Sequence, residues 1–269
     1  MYILYMDEVD EIFSHNGANL EIFLEKELLN HQWKVETNQF YLDTTTGKPR
    51  ETDVVASSHI DVFWDDSVIL HVRLFFECKY LSDKRKIWLF TKQREAEKMK
   101  QFFETHWVYE KIKKQNNLAD DAHCLFWQHR FTQEKYGILW YHSTDNNNRD
   151  GNSSVWIPWF QQLIHAMQSK RFELPGELTL DYPILFVSDI SKIKTCTQDW
   201  VKWDIDESVG SILYDFPYID LKTGEYKQYF IEIIDKNSLE KLLSNVDLEI
   251  DTLTNRNWRW FRSFGNFVK

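Results

Sequence analysis

Cysteine is scarce in this 269-residue chain, which carries only Cys78, Cys124 and Cys196. Three widely spaced thiols, odd in number, build neither a disulfide framework nor a zinc site, and they suit a reducing cytoplasm. Long apolar runs are missing too: none approaches the roughly 20 residues of a membrane span. The opening Met1-Tyr2-Ile3-Leu4-Tyr5-Met6-Asp7-Glu8 lacks a basic flank and turns acidic early, so no secretory leader is expected. Gly47-Lys48 lacks the upstream glycine of a phosphate-binding loop. No serine stands in a nucleophile-elbow context. His59, His71, His123, His129, His142 and His165 show no metal-ligand spacing and read as structural or surface histidines. A cytoplasmic protein without a membrane partner is the expectation.

An excess of positive charge is also lacking. The net charge of −10 counts against a protein that binds nucleic acid with its whole surface. The distribution is uneven, however. From Glu77 to Lys114 there are eleven Lys/Arg against six Asp/Glu, so that stretch is +5 and the remainder −15. Positive charge beside one cleft, on an otherwise acidic body, suits local contact with a polyanion. Lys84, Arg85, Lys86 and Lys92 are the candidates for that contact. The bland alternative is a solvated helix face, as in Gln93-Arg94-Glu95-Ala96-Glu97-Lys98-Met99-Lys100.

Apolar residues make up 43% of the chain, enough for a sizeable core. Leu20, Leu24 and Leu28, widened by Phe23, predict a helix from an Asn16 or Asn19 cap to about His31. A strand is expected over Trp33–Tyr41, a turn over Asp43–Pro49, and a short strand over Thr52–Ala56. Val68–Tyr80 reads as a long, buried central strand. Ile87–Phe90 extends the sheet or leads into a charged helix over Thr91–Lys114. Further on, Tyr136–His142 reads as a strand, Ser143–Ser154 as a loop and Val155–Lys170 as a helix with Pro158 in its first turn. Leu178–Val187 reads as a strand interrupted near Pro183, Ile212–Ile234 as a hairpin around Lys222–Glu225, and Ser238–Asn245 as a short helix. The tail Arg256–Phe264 interleaves arginine with aromatics, either to stack on bases or to dock on the core, the latter being the commoner use. One elaborated domain over 1–269 is expected, with 143–154 the only place for a subdivision.

Chemistry concentrates at two places. Asp53 sits in Gly47-Lys48-Pro49-Arg50-Glu51-Thr52-Asp53-Val54-Val55-Ala56, and Glu77-Cys78-Lys79 ends the apolar run from Val68. In a strand, residues two apart share a face, so Glu77 and Lys79 point one way while Phe76, Cys78 and Tyr80 point the other. If the Asp53 strand pairs with the Glu77 strand, two carboxylates and an ammonium converge. Two such acids repel, and a hard divalent cation, Mg2+ or Mn2+, resolves the conflict. Asp53, Glu77 and the Cys78 carbonyl are the expected ligands, and Lys79 the group that orients water or steadies charge at phosphorus. Glu21 and Glu25, one turn apart on the first helix, are candidates for a third acid. Acid-x-lysine alone is a weak signal. The surrounding order of helix, turn, Asp-bearing strand and long apolar strand strengthens it.

Glu21…Arg50-Glu51-Thr52-Asp53-Val54…Phe76-Glu77-Cys78-Lys79, followed by Lys86-Ile87-Trp88-Leu89-Phe90, resembles the PD-(D/E)XK nuclease superfamily. It is most similar to bacterial and archaeal restriction-endonuclease-like proteins with an R-E-x-D strand and an E-C-K strand. The match covers about residues 17–92, and Thr52 stands where the motif's name has proline. The resemblance implies an α/β fold with a mixed four-stranded core sheet flanked by helices, here with C-terminal α/β elaborations. It also implies Mg2+-dependent nuclease activity, most readily on DNA, with Asp53, Glu77, Lys79 and Glu21 catalytic. Fold analogy points to restriction or anti-phage defence. The alternatives are an RNA nuclease or a non-catalytic subunit binding nucleic acid or protein. Cutting both strands of a duplex with one site per chain calls for a homodimer, or for a partner subunit.

Overall fold

Leucines at four-residue spacing bury one stripe of the first helix, as expected. In the computed structural model, α1 spans Ala18–Asn30, with Leu24 and Leu28 fully buried. The structure describes residues 17–43, 47–61, 69–82, 85–93, 135–144, 156–169, 177–197, 205–206, 210–219, 224 and 226–251. The helix cap differs from expectation. Gly17 holds the N-cap position with no side-chain capping bond, Asn19 lies within the first turn, and Asn16 lies outside the described residues. Space explains the glycine: a Cβ there would stand 3.0 Å from the Cys78 carbonyl oxygen. At the other end Gln32 takes a φ of 63°, and the Gln32 and Trp33 N–H groups donate to Leu29 and Leu28 carbonyls, turning the chain into β1.

β1 (Lys34–Leu42) and β2 (Pro49–Asp61) form an antiparallel hairpin, registered from Lys34↔Ser57 to Leu42↔Pro49. In the turn, Gly47 has a φ of +67° and donates its N–H to the Asp43 carbonyl at 2.7 Å. β2 is longer than the predicted Thr52–Ala56 because its polar continuation, Ser57-Ser58-His59, pairs with the third strand. β3 (Ile69–Lys79) runs antiparallel to β2, from Asp61↔Ile69 to Val54↔Phe76. β4 (Arg85–Gln93) pairs antiparallel with β5 (Lys135–Thr144), with a register shift between Phe90 and Thr91. Residues 91–93 are therefore strand, not the start of a helix, because β5 supplies a ladder for them. The rest of the predicted helix, 94–114, lies outside the described residues, as do most of the 143–154 loop and the Arg256–Phe264 tail.

β6 (Glu177–Val187) pairs parallel with β3 along its whole length, Ile69↔Glu177 to Lys79↔Val187. The expected break at Pro183 is absent. Pro183 stands one residue before the short β10 ladder, which covers only Ile184–Phe186, so that edge of β6 is not yet paired there. After a 3₁₀ turn over Ile190–Lys192 come β7 (Ile193–Thr197), β8 (Ile205–Asp206), β9 (Ser211–Ile219) and β10 (Tyr226–Ile234). β9 and β10 are the predicted hairpin, and Gly224 has a φ of +69° in its connection.

The strands form one mixed sheet in the order β1-β2-β3-β6-β10-β9-β5-β4-β7-β8. Strands on both sides of 143–154 belong to it. The described sheet thus has ten strands, more than the four implied as a core. Helix α2 (Trp156–Ser169) carries Pro158 in its first turn, and α3 (Leu239–Asp251) outruns the predicted short helix because Val246 and Ile250 continue the apolar spacing of Leu239, Leu242 and Leu243. Two cores result, one on each face. Leu24, Leu28, Leu242 and Val246 of α1 and α3 pack on Leu74, Phe76 and Phe186, while Phe160, Leu163 and Ile164 of α2 pack on Phe75, Leu185 and Ile233. The class is α/β, as predicted. Among the described residues, no helix is long and apolar enough to cross a membrane.

Candidate functional site

Parallel strands β3 and β6 end together, Lys79 opposite Val187, and β10 ends beside them, Ile234 opposite Phe186. Clefts at the carboxyl ends of adjacent strands are the usual place for α/β sites. The paired positions of β2 and β3 stop at Val54↔Phe76. Beyond that point Asp53 Oδ2 accepts the Cys78 N–H at 2.6 Å, so a side chain replaces the next rung of the ladder.

The predicted convergence is present. Lys79 Nζ lies 2.6 Å from Glu77 Oε1, 3.0 Å from the Cys78 carbonyl oxygen and 3.4 Å from Asp53 Oδ2. Glu77 and Lys79 project on the α2 face, and Cys78 packs on the opposite face in the α1 core, as the alternation requires. β3 ends at Lys79, and Tyr80 is half-buried with Lys192 Nζ 5.3 Å from its ring centre.

Glu77 is only 1% exposed, and its Oε2 has no hydrogen-bond partner among the described residues. Burial first, then the Asp53 charge, pushes its carboxyl up to about 7, with Lys79 opposing the rise. Burial would lower the Lys79 ammonium, but Glu77 and Asp53 outweigh it and leave its pKa raised. Burial and then Asp53 push the Cys78 thiol well up, so it is an inert packing group.

Glu21, in the first turn of α1, is the helical acid next to this cluster. Its Oε1 comes within 3.8 Å of where a Gly17 Cβ would stand, beside the Cys78 carbonyl. Its carboxyl pKa is raised by burial and then by Asp53, and its charge in turn acts on Glu77. Glu25 is half-buried one turn further along the same helix. Of the basic candidates, Arg85, Lys86 and Lys92 lie on β4 by their backbone, and Lys84 lies outside the described residues.

Three residues of α2 belong to the surroundings of the site and carry no sequence signal. Trp159 places its ring 5.5 Å from Lys79 Nζ. Gln162 Nε2 donates to the Glu51 carbonyl at 2.6 Å, which holds the β2 segment leading into Asp53, and the Gln162 backbone carbonyl accepts from Tyr41 Oη of β1 at 3.1 Å. His165 Nδ1 lies 3.3 Å from Asp43 Oδ1 and its Nε2 3.1 Å from Tyr218 Oη, tying α2 to the β1–β2 turn. More than 75 residues separate α2 from Glu77, so no local spacing could have joined them. Beyond Lys79, the Ser188 N–H donates to the Lys79 carbonyl and the Leu81 N–H donates to Ser188 Oγ, fixing the strand's exit.

No group of three or more His, Cys, Asp or Glu among the described residues is arranged as a metal cluster. The oxygen donors in hand are Asp53, Glu77 and the Cys78 carbonyl, and the unsatisfied Glu77 Oε2 is the atom that a cation would suit. Hard oxygens of this kind fit Mg2+ or Mn2+ better than a softer metal. The molecule is therefore an α/β protein with an acid–acid–lysine cluster at the ends of its central strands. The chain matches no protein-family model, no curated protein and no solved structure.

Proposed function

We propose that this chain is a PD-(D/E)XK-type, metal-dependent nuclease with a restriction-endonuclease-like core, hydrolysing phosphodiester bonds, in DNA before RNA. The observation that carries the reading is the meeting of Asp53, Glu77 and Lys79 within 3.4 Å of one ammonium, beside a buried carboxylate oxygen without a partner. Asp53, Glu77 and the Cys78 carbonyl would hold Mg2+ or Mn2+. A bound cation of this kind activates water and neutralises charge at phosphorus. Lys79 brings its ammonium to the phosphate oxygens as they gather charge. Glu21, beside the Cys78 carbonyl, would be the helical acid that supports the cation directly or through water. Trp159 and Gln162 keep Lys79 and the Asp53 strand in place.

The choice of DNA, and a role in restriction or anti-phage defence, rest on the resemblance of the motifs alone. The test is cleavage with Mg2+ and with Mn2+ of supercoiled plasmid, linear duplex, single-stranded DNA and RNA, beside Glu77→Ala. Metal-dependent cutting that the variant lacks supports the reading, and the preferred polymer names the substrate. Equal cutting by the variant removes the site assignment.

A further inference from the structure

Each residue suited to hold a divalent cation already has one oxygen on a shared partner, while Glu77 Oε2 is left open. Lys79 Nζ reaches Glu77 Oε1, the Cys78 carbonyl and Asp53 Oδ2 at 2.6, 3.0 and 3.4 Å. One ammonium thus touches every member of the proposed ligand set. The charge logic is the same as for a metal: two close carboxylates, largely out of water, need a positive group between them. Lysine is well suited to a temporary version of that duty. Its compact charge rides on a flexible four-carbon stem. The half-buried Trp159, its ring centre 5.5 Å from the same Nζ, flanks the ammonium where it stands.

We propose that Lys79 is the built-in counter-ion of the site and competes with the divalent cation for the same three residues, so that metal entry displaces the ammonium towards the substrate phosphate. This rests on the metal-dependent reading above and adds an order of events to it. In the metal-free site Lys79 offsets one of the two carboxylate charges, and its ammonium is engaged by its own acids and not presented to a polyanion. Metal entry both neutralises the acids and frees Lys79, so phosphate engagement follows metal and does not precede it.

The experiment is Mn2+ binding to the full-length protein without nucleic acid at pH 8, read from the electron paramagnetic resonance of free Mn2+. Wild type, Lys79→Met and Asp53→Asn are compared. Removing a positive charge from within a few ångströms of the cation is expected to tighten binding by about tenfold or more in Lys79→Met. Asp53→Asn is expected to lose binding. Equal or weaker binding by Lys79→Met, with wild type binding, overturns the competition and leaves the metal site standing. Failure of wild type to bind overturns both. A second readout needs no variant: reductive methylation of Lys79 in wild type, followed by mass spectrometry, with and without saturating Mg2+. Methylation several-fold faster with Mg2+ supports displacement, and an unchanged rate overturns it.

Discussion

Asp53 Oδ2 accepts the backbone N–H of Cys78 at 2.6 Å, two residues past Phe76, the last position of β3 paired with β2. The carboxylate therefore does two things. It satisfies a strand amide that the diverging backbone of β2 no longer reaches, and it sets its charge beside Lys79. Structure and chemistry meet in one side chain, and substitutions can separate them.

Asp53→Asn keeps an acceptor for the Cys78 amide, whereas Asp53→Ala leaves that amide unpaired in a protected setting. The alanine variant is expected to lose roughly 1–3 kcal/mol of stability and the asparagine variant distinctly less. Both are expected to lose cleavage by at least about a hundredfold. Urea unfolding beside a plasmid-nicking assay checks the two outcomes. Equal stability of the two variants would show that the amide bond contributes nothing.

Glu77 makes stability depend on pH. Below its ordinary value of 4.5 the carboxyl is protonated both folded and unfolded. Between 4.5 and about 7 the unfolded carboxyl ionises while the buried one keeps its proton. Stability therefore falls as pH rises through that window, by something on the order of 3 kcal/mol, and levels off above it. Glu77→Gln is expected to flatten this segment. Urea midpoints at half-unit steps from pH 4.5 to 8 measure it, and parallel curves for the two proteins would refute the assignment.

Gly17→Ala tests the approach of α1 to the site. The φ of −67° suits alanine, so the backbone conformation costs nothing. The new Cβ, however, would meet the Cys78 carbonyl oxygen at 3.0 Å, and backbone has little room to give. The helix start must shift, taking Glu21 with it. A loss of about 1–3 kcal/mol is expected, as for overpacking elsewhere, together with a lower cleavage rate. A Tm and rate equal to wild type would show that α1 adjusts freely.

Gln162→Ala removes the donor that holds the Glu51 carbonyl at 2.6 Å. Gln162→Glu keeps the size but replaces that donor with an acceptor. Both are expected to slow cleavage, roughly tenfold, through a looser Asp53 strand. The distinguishing readout is kcat against KM: a positioning defect lowers kcat and leaves KM largely unchanged. A change confined to KM would instead make Gln162 a substrate contact.

The elements nearest the motifs were legible because local pattern and tertiary outcome agree there. Leu24 and Leu28 specify α1's buried face, and the apolar run into Glu77 specifies β3 as an interior strand. The alternation that set Cys78 apart from Glu77 and Lys79 held in the folded strand. What was not legible depended on distant partners. Residues 91–93 carry helix-compatible composition, yet β5 offers them a ladder. Pro183 reads as a breaker, yet parallel pairing with β3 passes through it. The cap was misread because a carbonyl from β3, invisible from residue 17, leaves no room for a side chain. Trp159 and Gln162 come to the site from another helix, and no spacing rule reaches that far.

Arg73 and Asp181 face each other across β3 and β6, with Nε–Oδ1 at 2.7 Å and Nη2–Oδ2 at 2.9 Å, both side chains largely buried. A slip of one would exchange the side chains that face the two cores, so a strand keeps its faces only by slipping in steps of two. Either such step would set Arg73 against Thr179 or Pro183, neither of which carries a negative charge, and would separate two opposite charges away from solvent. The pair thus acts as a key for alignment, six residues upstream of Lys79. A mis-threaded sheet is penalised at Arg73 before it can misplace Glu77, so fidelity of the reactive end is enforced from the middle of the strand.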